Sequence, residues 1–85
     1  MKGGNKMNNE FNYSKLKGKI RELEMTQTEY AKAIGITEQT LNLRFQDKRP
    51  FKQDEIIKTM QLFNEPVENI HIYFFTKKVA KNETN

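Results

Sequence analysis

The strongest constraint on this chain is residues 26–46, TQTEYAKAIGITEQTLNLRFQ, which read as two short helices joined by a tight turn. Thr26 followed three residues later by Glu29 is a capping-box pattern, so a helix is expected to start there. Tyr30, Ala33 and Ile34 give it an apolar face, and small Ala31 suits close contact with a neighbouring helix. Gly35 can take the left-handed conformation at low cost and ends the helix. Ile36 can then drop into a core, and Thr37 caps a further helix over about residues 38–46. Leu41 and Phe45, four apart, form its inner face, while Pro50 bars helix beyond the loop.

The chain has 85 residues, enough for one small domain. Cysteine is absent and His71 is the single histidine, so neither disulfides nor a thiolate or multi-histidine metal site is expected. No apolar run reaches membrane-spanning length and no signal-peptide pattern opens the sequence, so no membrane partner and a cytoplasmic location are expected. The formal net charge is +4, with a pI near 9.4. That excess lies outside the middle of the chain, because residues 13–75 hold ten Lys and Arg against nine Asp and Glu. Within that stretch the local basic cluster is Arg44, Lys48, Arg49 and Lys52, opposed by Asp47. Such a cluster after a helix pair suits phosphate contacts, and it also suits an ordinary solvated loop.

Three regions are expected. Residues 1–12, rich in Asn, Gly and Lys, read as a disordered arm. Residues 13–75 read as the folded domain, and residues 76–85 as a basic tail. Within the domain, Ser14 is an N-cap candidate for a first helix over about 14–23, with Tyr13, Leu16, Ile20 and Leu23 on one face. Gly18 inside it costs roughly 1 kcal/mol relative to alanine, which suggests close packing against another helix. A fourth helix over about 53–63 turns Ile56, Ile57, Met60 and Phe63 inward, with Asp54 and Glu55 favoured by its N-terminal dipole. Pro66 can open a short fifth helix with Val67 and Ile70 facing in. Residues 72–75, Ile-Tyr-Phe-Phe, are too few for periodicity to classify and read as extended or as a last helical turn. No internal repeat is visible.

Gln27, Ala31, Gly35, Ile36, Thr37 and Leu41 in this register, followed by Asp-Lys-Arg-Pro-Phe at 47–51 and the apolar helix of 54–63, resemble the phage Cro and repressor-like helix-turn-helix family. Within it the chain is similar to small Cro-like or repression-modulator proteins of temperate phages of low-GC Gram-positive bacteria. The Tyr-Phe-Phe run followed by Lys and Val extends the resemblance across about residues 13–79. The resemblance implies an all-α fold, a compact bundle of four to five short helices like the lambda-repressor DNA-binding domain. The sequence departs from the family at one place: where an apolar residue is common three positions after Leu41, it has Arg44, and Phe45 supplies the anchor instead.

In this motif the first turn of the second helix of the pair enters the DNA major groove. Glu38, Gln39, Thr40, Asn42 and Leu43 are therefore the candidate base contacts. Gln39 can pair with adenine, Glu38 can accept from cytosine, and Leu43 can meet a thymine methyl. Gln27, Thr37, Arg44, Gln46, Lys48 and Arg49 are the candidate phosphate contacts. Each has a plainer reading. Glu38 suits the helix dipole, Thr37 caps, Gln27 is a surface glutamine, and a lone exposed leucine is common. One helix reads few base pairs, so a homodimer spanning half-sites about 34 Å apart is a further expectation. The aromatic run at 72–75 is either its contact or part of the monomer core.

The leading functional reading is a sequence-specific transcriptional regulator binding operator double-stranded DNA. The alternative is an antirepressor or repression modulator that binds the phage repressor protein. Gln39 and Asn42 favour DNA, whereas Leu43 and the aromatic run serve a protein interface as well. An enzyme is not expected: Asp54 and Glu55 are adjacent and diverge on a helix, and there is no cysteine nucleophile or glycine-rich phosphate loop. No cofactor is expected.

Overall fold

The computed structural model describes residues 11–77, and those residues are all-helical apart from one isolated antiparallel bridge. In order they form α1 (Ser14–Glu22), α2 (Gln27–Ile34), α3 (Glu38–Phe45), α4 (Gln53–Phe63), a 3-10 turn (Val67–Asn69) and α5 (Ile70–Phe74). Helix α1 packs on α5, and α2 packs on both α3 and α4. None of these helices is long and apolar enough to cross a membrane.

The helix starts follow local chemistry. Thr26 Oγ1 accepts from Glu29 N at 3.0 Å while Glu29 Oε1 accepts from Thr26 N at 2.9 Å, the reciprocal box the sequence predicts. Ser14 is not the cap of α1. It is already helical, and its N–H is accepted by Asn12 Oδ1 at 2.8 Å.

The helix ends share one pattern. A left-handed residue follows each of α1 to α4: Glu24 at φ 60°, Gly35 at 86°, Asp47 at 60° and Asn64 at 58°. Its N–H bonds to the carbonyl three residues back, and the next N–H bonds five back. The pairs run to Arg21 and Ile20, Lys32 and Ala31, Arg44 and Leu43, and Gln61 and Met60, all between 2.9 and 3.1 Å. This satisfies the last carbonyls of each helix.

The core comprises Tyr13, Leu16, Ile20, Tyr30, Ala31, Ile34, Leu41, Phe51, Met60, Phe63, Tyr73 and Phe74. Aromatic rings organise it. Phe51 meets Tyr13 at 5.4 Å and Phe74 at 4.9 Å, while Phe63 meets Tyr30 at 6.3 Å and Tyr73 at 5.3 Å between centroids. The run at 72–75 is therefore helical through Phe74, and the monomer core takes Tyr73 and Phe74, leaving Phe75 exposed. Buried Tyr30 and Thr59 share a hydrogen bond of 2.6 Å. Because the Thr59 hydroxyl gives its proton to the Glu55 carbonyl at 2.8 Å, Tyr30 is the donor to Thr59.

Four sequence expectations about packing are corrected. Ala33 is exposed and Ala31 is the core alanine of α2. Ile57 lies at the surface because α4 buries Glu55 and Thr59 instead, and Val67 points out from its 3-10 turn. Gly18 approaches nothing: a Cβ built there meets no atom within 4 Å. The folded unit also exceeds 13–75. Phe11 N donates to Asp47 Oδ2 at 2.9 Å, Asn12 N donates to the Thr76 carbonyl at 2.7 Å, and Phe11 bridges Lys77. The rest of the arm, 1–10, and of the tail, 78–85, lies outside the described residues.

Candidate functional site

Two hydrogen bonds set the shape of the α2–α3 pair. Thr37 Oγ1 accepts from Thr40 N at 3.1 Å and starts α3. Thr28 Oγ1, on the first turn of α2, donates to Glu38 Oε1 at 2.7 Å and ties the two helix starts together. Glu38 is thus an interhelical acceptor through Oε1, which fixes its carboxylate, while Oε2 accepts no hydrogen bond among the described residues. Thr37 is the cap, and its hydroxyl proton goes to Thr40 Oγ1 at 3.0 Å.

The outer face of α3 carries the remaining candidates. Gln39 and Asn42 are exposed and their side chains form no hydrogen bond among the described residues. Leu43 is 39% exposed, an apolar side chain amid polar ones, and Thr40 is half-buried. Gln46 caps the helix end and is exposed. Lys48 and Arg49 follow on the exposed loop, with no ion pair among the described residues. Gln27 stands at the start of α2 beside Lys17, Arg21 and Met25 of the α1 side, exposed, and its side chain forms no hydrogen bond among the described residues. Gln39, Asn42, Leu43, Lys48 and Arg49 therefore belong to one surface formed by α3 and its following loop.

Arg44 is the correction. It is not an outward phosphate-reaching arginine but a residue only 7% exposed. Its Nε donates to Glu55 Oε1 and its Nη2 to Glu55 Oε2, each at 3.0 Å. Position 44 is three after buried Leu41 and so faces inward, where an unpaired guanidinium would be costly. Glu55 also accepts from Lys52 N at 2.9 Å and so starts α4. Burial raises the Glu55 pKa, but the Arg44 hydrogen bonds, the Lys52 N–H and the charges of Arg44 and Lys52 outweigh it and hold the carboxyl below its ordinary value. The Glu55 hydrogen bonds, against the opposing burial, raise the Arg44 pKa.

Glu55 is the residue the sequence reading missed, because as a first-turn carboxylate it already had the helix dipole as an explanation. The signal was present at Arg44: a cation at an inner helical position needs a buried anion, and Asp54 and Glu55 were the nearby carboxylates. The pair fixes α3 on α4. The Tyr30–Thr59–Glu55 hydrogen bonds reach α2 from the same turn of α4.

Asp47 closes the other end of α3. Besides binding Phe11 N, its Oδ1 accepts from Tyr13 OH at 3.3 Å. Burial first, then the Asp47 charge and hydrogen bond, raise the Tyr13 pKa and keep the phenol protonated. Lys17 lies 5.0 Å over the Phe45 ring, which covers the half-buried edge of α3. Among the described residues no group of three or more His, Asp or Glu is placed to hold a metal.

A family model described as "Protein of unknown function (DUF739)" matches residues 9–77. No curated protein matches the chain. Among solved structures, the solution structure of the modulator of repression (MOR) of the temperate bacteriophage TP901-1 from Lactococcus lactis is similar. It is 40% identical, covering 82% of this chain and 95% of that one, with a TM-score of 0.66.

Proposed function

The chain belongs to the DUF739 family, and from that membership together with its α3 surface we propose that it is a phage regulatory protein that modulates repression by binding the phage repressor. The observation that carries this reading is the likeness to a phage modulator of repression over nearly the whole of that protein. It reverses the order of the two functions left open by the sequence.

The charge distribution supports the same choice. With Arg44 engaged by Glu55, the cations beside the outer face of α3 among the described residues are Lys48, Arg49 and Lys52. Three phosphate neutralisations correspond to a salt slope of only about −3, a modest electrostatic contribution to DNA affinity. Leu43 at the centre of that face suits a partner protein's apolar surface. Sequence-specific DNA binding is the second reading, favoured by Gln39 and Asn42, which are exposed and whose amides have no partner among the described residues. In either case the protein acts without catalysis or cofactor, in the cytoplasm of a bacterial host.

The test is co-expression with the repressor of the same phage, followed by size-exclusion chromatography, beside selection from a random duplex pool by this protein alone. A stable complex and no enriched motif are expected. An enriched, roughly palindromic motif with no repressor complex would refute modulation and establish a DNA reader.

A further inference from the structure

We propose that the groove between the second half of α3 and the start of α4 receives a carboxylate side chain of the partner protein, carried on an otherwise apolar stretch. This rests on the partner-binding reading above and says how the partner is recognised. Thr40, Leu43, Arg44, Arg49, Pro50 and Lys52 line the groove.

Arg44 is the unusual wall. Glu55 takes its Nε and Nη2, and Nη1 has no hydrogen-bond partner among the described residues. No side-chain nitrogen or oxygen among the described residues is both buried and unpartnered, so Nη1 keeps contact with the open groove. A buried guanidinium held side-on along one edge by a single carboxylate presents Nη1 in a fixed position. Binding there orders little that is not already ordered. The Thr40 hydroxyl adds a donor, since it accepts from Thr37 and keeps its own proton. Arg49 and Lys52 stand exposed at the rim without an ion pair among the described residues.

Charge and polarity select the occupant. Arg44, Arg49 and Lys52 are opposed by Glu55 and by Asp54, whose charge reaches Arg44, so one positive charge is in excess. That matches a single monovalent carboxylate. Leu43 and Pro50 form the apolar part of the lining, which a phosphodiester would leave against its own charged oxygens. A carboxylate flanked by apolar side chains satisfies both kinds of lining.

The experiment uses the full chain in complex with the repressor of the same phage. Water-soluble carbodiimide, which joins an amine to a carboxylate in contact, is expected to couple Lys52 to an Asp or Glu of the repressor, located by peptide mass mapping. Arg49→Glu is expected to weaken the complex about tenfold or more. Lys52→Arg, which keeps the charge and removes the primary amine, is expected to abolish the coupling. Both substitutions are at exposed positions, and unchanged circular dichroism confirms the fold. Unaltered affinity in Arg49→Glu, or coupling that maps away from Lys52, overturns the groove and leaves repressor binding standing. If Arg49→Glu instead abolishes binding to duplex DNA and spares the repressor complex, the groove holds phosphate and the proposal fails. Absence of any repressor complex refutes the function proposed above and this inference with it.

Discussion

Replacing Arg44 by methionine isolates the ion pair between α3 and α4. The Arg44 side chain is 9% exposed and that of Glu55 4%, so the substitution strands a carboxylate that has lost two charge-assisted hydrogen bonds and retains Lys52 N–H. Breaking one side of a buried pair costs about 3–5 kcal/mol. The surviving Lys52 bond and the solvent contact of the groove place the expectation at the low end, about 3 kcal/mol. A chain of this length has roughly 4–13 kcal/mol in total, so the single variant should be markedly weakened. The double variant Arg44→Met with Glu55→Leu removes both charges and fills their space with apolar atoms, and should return to within about 1 kcal/mol of the parent. Urea unfolding followed by circular dichroism measures all three, with Glu55→Leu alone completing the cycle. A single-variant loss below about 1 kcal/mol, or a double variant as weak as the sum of its singles, would refute the reasoning, since the pair would then hold no mutual interaction.

The same carboxylate gives a pH dependence. Its folded-state pKa lies below the unfolded value of about 4.3. Its stabilisation is therefore whole above that value and disappears as pH falls through the folded one. Urea midpoints should drop as pH falls below about 5 in the parent and drop less in the double variant. Glu24→Gly relieves a left-handed non-glycine residue and should raise stability by about 1 kcal/mol, whereas Gly35→Ala should lower it by about 1–2 kcal/mol through φ alone. Thermal melts distinguish the signs. Gly18→Ala should stabilise by up to about 1 kcal/mol, because the helix gains propensity and the Cβ meets open space; a fall in Tm would show a contact there. Tyr30→Phe should cost about 1 kcal/mol, the hydrogen bond to Thr59, as Thr59 keeps the Glu55 carbonyl.

What the sequence disclosed was decided within a few residues. The Thr26–Glu29 box, Gly35, the Thr37 cap and the 53–63 extent of α4 depend on neighbours in the chain, and the structure has each of them. The left-handed end at Glu24 is illegible because glutamate does not signal one, whereas Asn64 and, more weakly, Asp47 carry residue types that tolerate that conformation. Ile57 and Val67 were placed inward by a periodicity that counts hydrophobicity and ignores a buried carboxylate or a 3-10 turn. Phe45 was expected to replace Arg44 at the inner face of α3. Both turn in, Phe45 partly and Arg44 almost wholly, because Glu55 on another helix makes the arginine tolerable there. Of the candidate site, the exposed Gln39, Asn42 and Leu43 follow from the helical register, while the Thr28–Glu38 bond needed the crossing of two helices to appear.

The bridge between residues 11 and 77 makes the described fold a closed circuit in space. The Phe11 and Phe75 rings meet edge to face beside it, with centroids 5.6 Å apart. A peptide linker of a few residues could join the two ends without stretching across the bundle. The chain could then be cut open elsewhere, for instance in the exposed loop around Arg49, to give a circular permutant with the same helices in a different order. Cutting there would free the segment between α3 and α4 while leaving every helix intact. The permutant would thus separate what that loop contributes to recognition from what the helices contribute to folding.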